Sequence, residues 1–375
     1  MLLITRKITD EFKSKLFKGK VVIIYGPRQS GKTTFIKNLC KDYKNAKYIN
    51  CDDPENAEYL HPRGAAQLKN FFGNTNLVIL DEAQKVKDIG LTLKIIVDTY
   101  KDIQIIATGS SAFDLEDKLA EPLTGRHYDF MMFPFSFEEL ENSGLSSDIE
   151  QRIIYGSYPE VVFPKEGDTP LERILSISND YMLKDILAFE GIRKSDILRK
   201  LLKVLAYQMS GEISFREISE NFGMSVQTIQ NYVEILEKAF IIFMLPPYGG
   251  NPRIALRRTK KIYFYDTGLR NAIINNFDSL SVRPDKGALF ENYIVSEFYK
   301  KNINNKEFKN LFFYRSYNGE EIDIITQKGG KLFGYECKYK NDSDLIKKSI
   351  NAPIQKVEVI TKLNFKKFLL PKSNG

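Results

Sequence analysis

The sequence predicts an α/β chain in three parts, and three observations carry that prediction. Between residues 20 and 133, short apolar runs alternate with polar, helix-like stretches. From about Ser136 the apolar residues recur at helical spacing, and after Arg283-Pro284 helix-like and strand-like segments mix again. Continuous apolar runs suit strands buried on both faces, and their alternation with helical stretches predicts a parallel sheet covered on both sides. The expected domains are 1–142, 143–283 and 284–375. A length of 375 residues with 43% apolar and 27% charged side chains fits two or three globular domains, and excludes collagen-like, low-complexity and disulfide-scaffold chains.

The first part has predicted strands at Val21–Tyr25, Lys47–Cys51, Leu77–Leu80, Ile103–Ala107 and Tyr128–Phe133. In the middle part, Ile174, Ile177, Tyr181 and Leu187 mark one helix, and Leu198, Leu201, Leu202 and Leu205 another. Ser214-Phe215-Arg216-Glu217 is a capping box that opens a helix to Phe222. Gly223 makes the turn, and Ser225 caps a second helix, Val226–Lys238, with Val226, Ile229, Val233 and Leu236 on its buried face. Ala239–Leu245 and Ile262–Tyr265 are the expected strands of a winged-helix unit. The outward positions Gln227, Gln230, Asn231, Glu234 and Glu237 include two acids and suit a phosphate backbone badly. This helix therefore reads as a structural or protein-docking element before it reads as a DNA-binding one. The cluster Arg253, Arg257, Arg258, Lys260 and Lys261 reads first as a solvated charge run and second as a phosphate contact.

Other chemistries are disfavoured by what is scarce. Cys40, Cys51 and Cys337 form no spaced pair, which argues against a zinc site and suits a reducing compartment. The two histidines, His61 and His127, are far apart, so His-based triads and multi-His metal sites start from a low prior. Arg6, Lys7, Asp10 and Glu11 follow MLLIT at once, leaving no signal-peptide core, and no apolar run approaches the roughly 18–20 residues of a membrane span. The expectation is a cytoplasmic protein with no membrane partner.

Gly26-Pro27-Arg28-Gln29-Ser30-Gly31-Lys32-Thr33 fits G-x-x-x-x-G-K-[ST] between the strand Val21–Tyr25 and a helix expected over Thr34–Tyr43. The glycines let the backbone turn its N–H groups onto phosphate oxygens, and the helix start adds its positive dipole end. The residues expected to bind the nucleotide are Gly26 to Thr33 together with Thr34. Lys32 would reach the β- and γ-phosphates, and Thr33 would ligate Mg²⁺. Asp81-Glu82 ends the apolar run Leu77–Leu80 at the edge where open α/β sheets bind ligands. Asp81 would serve the Mg²⁺ shell and Glu82 the attacking water. Thr108-Gly109-Ser110-Ser111 follows the next strand, and Ser110 is a candidate for the γ-phosphate or the water.

Gly26–Thr33, the LDEAQ of Leu80–Gln84, the TGSSA of Thr108–Ala112 and the LTGRHYDFMMFPFSFEEL of Leu123–Leu140 resemble a prokaryotic AAA-family group of ATP-binding proteins. That group joins such a P-loop ATPase domain to a C-terminal domain of unknown function, number 4143. The resemblance implies Mg-ATP binding and hydrolysis by the first two motifs and a sensor role for the TGSS segment. Arg126, in the segment resembling the group's L-x-G-R, is a candidate for neutralising developing phosphate charge in its own subunit or in a neighbour's. The second alternative would require a homo-oligomer.

In the last part, Glu320–Thr326 and Lys331–Tyr339 flank Gly329-Gly330, which predicts a two-residue hairpin. Opposed residue numbers then sum to 659, so Asp323 faces Glu336 and Glu321 faces Lys338, all on one face by the period of two. Like charges so placed repel, and solvent, a raised pKa, Lys338 or a divalent cation must offset the repulsion. Glu291, in the helix pattern Gly287–Lys300, could add a third oxygen ligand. Glu291, Asp323 and Glu336-Cys337-Lys338 look like the PD-(D/E)xK nuclease constellation, with Ile322 where that pattern has proline. The resemblance implies Mg²⁺ or Mn²⁺ on the carboxylates and Lys338 acting on the water or the developing charge.

Charge points the same way. Residues 1–142 carry 20 basic and 20 acidic side chains, 143–283 carry 18 and 17, and 284–375 carry 17 and 11, so the net +7 is concentrated at the end of the chain. The sequence thus predicts an ATP-hydrolysing module coupled to a nuclease-like module that engages nucleic acid. The alternative is an ATP-gated regulatory or protein-binding switch whose nuclease-like fold is inactive.

Overall fold

The computed structural model describes residues 4–109, 122–145, 148–180, 195–249, 259–316, 319–340 and 354–371. Backbone packing divides the chain into two compact units, Met1–Pro134 with Lys238–Phe240, and Phe135–Glu237 with Ile241–Gly375. No helix among the described residues is long and apolar enough to cross a membrane.

The first unit is built on strands β1 (Val21–Tyr25), β2 (Ala46–Asn50), β3 (Leu77–Asp81), β4 (Gln104–Gly109) and β5 (His127–Met131). They form one parallel sheet in the order β2-β3-β4-β1-β5. The five predicted runs became these five strands with ends shifted by a few residues. Alternation explains why the runs are apolar throughout. Val21, Ile23, Val78, Leu80, Ile105 and Ala107 enter one core. Val22, Ile24, Leu77, Ile79 and Ile106 enter another, on the opposite face.

In the second unit the helix–turn–helix forms as expected, with helices Phe215–Phe222 and Val226–Lys238. Strands β6 (Glu212–Ile213), β7 (Ile242–Leu245) and β8 (Lys260–Phe264) make an antiparallel sheet in the order β6-β8-β7. Two side chains on the second helix depart from the expectation. Val226 is exposed and Tyr232 fills the buried face instead. Glu237 does not point outward, because its Oε1 accepts from the Met244 backbone N–H at 3.1 Å, and burial raises its pKa. Tyr181, Leu187, Arg253, Arg257 and Arg258 lie outside the described residues.

Elsewhere in this unit the helix Lys286–Asn304 packs on a sheet of β9 (Asn310–Arg315), β10 (Glu321–Lys328), β11 (Lys331–Lys338) and β12 (Lys356–Thr361). The order is β12-β11-β10-β9, antiparallel except for β11–β12. Gly329 and Gly330 have φ of 56° and 75°, the left-handed pair that a two-residue hairpin turn requires. The register from Ile324↔Tyr335 to Lys328↔Lys331 follows the predicted sum of 659.

Buried polar groups lock the helix in place. Asp285, just before it, accepts from Arg270 Nη1 at 2.6 Å and from Arg283 Nε at 2.8 Å. Burial alone would raise the Asp285 pKa, but the two guanidiniums hold it down at about 2. The Asn292 side chain pairs with the β8 backbone in both directions, accepting from Phe264 N at 2.7 Å and donating to Phe264 O at 2.9 Å. That amide clamp fixes β8 against the helix that carries Glu291.

Candidate functional site

The phosphate loop leaves β1 at its carboxyl end. Gly26 has φ of 147°, and a Cβ there would lie 2.2 Å from the Met132 carbonyl oxygen, so only glycine fits. Gly31 caps the helix Lys32–Cys40. Lys32 is buried, and its Nζ donates to the carbonyls of Gly26 and Pro27, both at 2.8 Å. The ammonium is thereby drawn into the curl of the loop. Ser30 is fully buried, and its Oγ has no hydrogen-bond partner among the described residues. A tight glycine turn, a helix start, an inward ammonium and a buried hydroxyl fit a phosphate group.

Asp81 ends β3 beside this loop. Its Oδ2 accepts from Thr33 Oγ1 at 2.8 Å and from Tyr48 OH at 2.5 Å, and its Oδ1 accepts from Thr108 Oγ1. Thr108 also accepts from the Glu82 backbone N–H at 2.9 Å. Glu82 itself takes a left-handed backbone, φ 55°, and its Oε2 accepts from Gln84 Nε2 at 2.5 Å. The fold therefore gathers Lys32, Thr33, Asp81 and Glu82 at one sheet edge, as a bound Mg-nucleotide needs. Ser110 lies outside the described residues, and among the described residues of that segment Thr108 touches the site.

Sequence reasoning missed two contributors and left the role of a third, Gln84, unassigned. Tyr48, on the edge strand β2, braces Asp81, and burial followed by the Asp81 charge raises its pKa. Gln84 holds the Glu82 carboxylate, although the LDEAQ motif had already drawn attention to it. Arg6 donates to the carbonyls of Ser30, at 3.1 Å, and Phe133, tying the loop to the segment after β5. No periodicity in the sequence marks Arg6 or Tyr48.

Arg126 is placed elsewhere. Its carbonyl accepts from the Val21 N–H at the start of β1, whereas the loop leaves after Tyr25. Five residues of strand, about 13 Å, separate the two ends. Its guanidinium pairs with Asp98 at 2.9 Å, which lowers the Asp98 pKa. Within its own chain, then, Arg126 does not reach the loop, and that half of the expectation is corrected.

A second constellation lies in the other unit. Lys261 is buried on β8, and its Nζ lies 3.0 Å from Glu291 Oε1, 2.5 Å from Glu321 Oε1 and 3.6 Å from Asp323 Oδ1. Tyr263 OH donates to the same Glu291 oxygen at 2.7 Å, and the Cys337 N–H donates to Asp323 Oδ2 at 2.7 Å. Burial, then the neighbouring Asp323 charge, pushes Glu291 up to about 7. Burial alone would lower the Lys261 pKa, but Glu291, Asp323 and Glu321 together raise it. Glu291, Glu321 and Asp323 line a cleft of about 560 Å³ with Lys286, Lys338 and Lys340.

Glu336 does not join this cluster, because the sheet changes phase. The β9–β10 register shifts between Ile322 and Ile325, so β10 carries one extra residue there. Ile322 and Ile325, three apart, consequently share one apolar face with Leu332. Along β11, Glu336 alternates onto that same face with Leu332 and Gly334, while Asp323 and Glu321 turn to the Lys261 side. Glu336 Oε2 lies 3.7 Å from Lys338 Nζ. The expectation of residues 321, 323, 336 and 338 on one face fails for this reason. Among the described residues, no group of three His, Cys, Asp or Glu side chains is spaced to hold a metal ion.

Family models match three segments of the chain. Residues 18–141 match an AAA domain, 146–280 match a domain of unknown function (DUF8612), and 286–363 match a domain of unknown function (DUF4143). An uncharacterised protein of Mycobacterium tuberculosis is 25% identical over 348 residues, which covers 90% of this chain and 74% of that protein. One of Haemophilus influenzae is 26% identical over 350 residues, covering 83% and 80%. Among solved structures, the Walker-type ATPase of Pyrococcus abyssi has a TM-score of 0.49 at 15% identity, covering 72% of this chain and 96% of that one. The chain belongs to the AAA-family ATP-binding proteins that carry a C-terminal domain of unknown function 4143.

Proposed function

We propose that residues 1–142 bind and hydrolyse Mg-ATP, and that this cycle is coupled through a winged-helix region, 143–283, to a nuclease-like module, 284–375, that engages nucleic acid. The carrying observation is the 2.8 Å hydrogen bond from Thr33 Oγ1 to Asp81 Oδ2, beside Lys32 in the glycine loop. Bound Mg²⁺ would supply charge neutralisation at the phosphates. Thr33 and Asp81 would hold it, Lys32 and the loop N–H groups would bind the phosphates, and Glu82 would take the proton of the water. Lys32→Ala is expected to abolish turnover, and turnover that persists unchanged removes the assignment. Glu82→Gln is expected to bind ATP normally while kcat falls about 10²-fold or more. Equal loss of binding would point instead to misfolding.

At the C-terminal module, Lys286, Lys338 and Lys340 around the cleft support an anionic partner. Neutralising all three is expected to weaken nucleic-acid binding and flatten its salt dependence, and unchanged binding would sink this half of the reading. One observation favours the second reading, a switch without cleavage. The carboxylates Glu291 and Asp323 already share an ammonium, that of Lys261.

A further inference from the structure

We propose that Lys261 is a tethered cation that takes the place of a divalent metal in the C-terminal carboxylate cluster. The idea deepens the nuclease-like reading, yet its test reads metal directly and is separate from whether nucleic acid binds.

Three carboxylates from two elements, the helix Lys286–Asn304 and β10, close on one ammonium from a third element, β8. That ammonium hydrogen-bonds Glu291 and lies within ion-pair range of Glu321 and, at 3.6 Å, of Asp323. Other donors reach the same carboxylates. Tyr263 donates to the oxygen of Glu291 that faces Lys261, and the Cys337 N–H holds Asp323 Oδ2. A metal at these oxygens would need ligands at about 2.0–2.6 Å and would sit against the ammonium with like charge.

Lys261 cannot simply swing aside. It lies in the middle strand of its sheet, paired to Glu212 on β6 and to Leu245 on β7, with its Nζ 5.6 Å from the Phe313 ring centroid. The Asn292 amide clamps the same strand to the helix of Glu291. The extra residue in β10 completes the arrangement by turning Asp323 toward Lys261 while Glu336 stays on the other face. What resembles a metal-dependent site by residue type is, by position, an ion-pair node.

The test uses the full chain without nucleotide, with Mn²⁺ followed by electron paramagnetic resonance and Tb³⁺ followed by luminescence. The chain has no tryptophan, so tyrosine is the antenna, and Tyr263 touches the cluster. Wild type and Asp323→Asn should bind both ions identically. Lys261→Met, which keeps the side chain's length without its charge, should gain one ion, at least tenfold tighter than any wild-type binding at this cluster. Its melting temperature should rise with Mn²⁺ by more than that of wild type, which keeps the Thr33 and Asp81 site in common. Glu291→Gln added to Lys261→Met should cancel the gain, and Lys261→Arg should never show it. Ion binding in wild type that Asp323→Asn abolishes would overturn the proposal, and so would a folded Lys261→Met that gains no ion. If Lys261→Met does not fold, the wild-type and Asp323→Asn comparison decides alone.

Discussion

The phosphate loop and the C-terminal cluster are built from the same kinds of residue, and they differ in what the lysine touches. In the loop, Lys32 donates to backbone carbonyls while Asp81 is held by the neutral hydroxyls of Thr33, Tyr48 and Thr108. Its negative charge meets no cation in these bonds, as the proposed Mg²⁺ role requires. In the cluster, Lys261 bonds the carboxylates themselves. Their charge is answered from within the chain. A motif gives the residue types in either case, but the partner of the lysine decides whether the site is open to a cation.

The comparison breaks most sharply at Lys261. Removing one partner of a buried ion pair leaves uncompensated charge, so Lys261→Met should lower stability by about 3–5 kcal/mol in urea unfolding, and Lys261→Arg by much less. A loss below about 1 kcal/mol would mean that the carboxylates do not depend on it.

Next in size is a pH effect. Glu291 holds its proton more tightly in the folded chain than in the unfolded one, with its pKa raised from 4.5 to about 7. Its contribution is therefore complete below about pH 4.5 and is lost as pH rises through about 7. Stability should fall by about 1–3 kcal/mol between pH 5 and pH 8. The slope should disappear in Glu291→Gln, and a wild-type profile that is flat or rising would contradict the arrangement.

Smaller effects probe the loop side. Tyr48→Phe removes one hydrogen bond from Asp81, worth about 0.5–1.5 kcal/mol, and should weaken Mg²⁺ dependence of turnover by about 2–10-fold without loss of folding. Arg126→Ala should leave the melting temperature nearly unchanged, because its ion pair with Asp98 is exposed and screened by solvent. A large drop in turnover that a Lys32→Ala partner subunit restores on mixing would show Arg126 acting across a subunit boundary.

Much of the fold was legible because its signals are local. Five apolar runs gave five strands, the S-x-x-E box opened its helix, and Gly329-Gly330 set a hairpin register that holds from Ile324 to Lys328. The phosphate loop was legible because its chemistry is contiguous, eight residues between a strand and a helix. The C-terminal cluster was not. Lys261 looked like part of a solvated run, since the strand was expected to begin at Ile262 rather than at Lys260. Starting it one or two residues earlier would have put Lys261 on one face with Tyr263. Its partners lie 30 to 62 positions away in sequence, and only tertiary packing brings them together. Arg126 falls short of the loop within its own chain for a related reason, because nearness to a motif in sequence does not say which end of a strand a residue occupies.

The extra residue in β10 carries one more consequence. A strand with a period of two behaves like a two-position selector, and a single added residue throws it. Upstream of the shift, Glu321 and Asp323 are dealt to one side of the sheet, and Ile322 to the other with Ile325. Deleting one residue between Ile322 and Ile325 would reverse that deal by geometry alone. The two acids would move to the side of Glu336, and an isoleucine would be sent toward Lys261. A length change of one residue thus decides whether these acids answer to Lys261 at all.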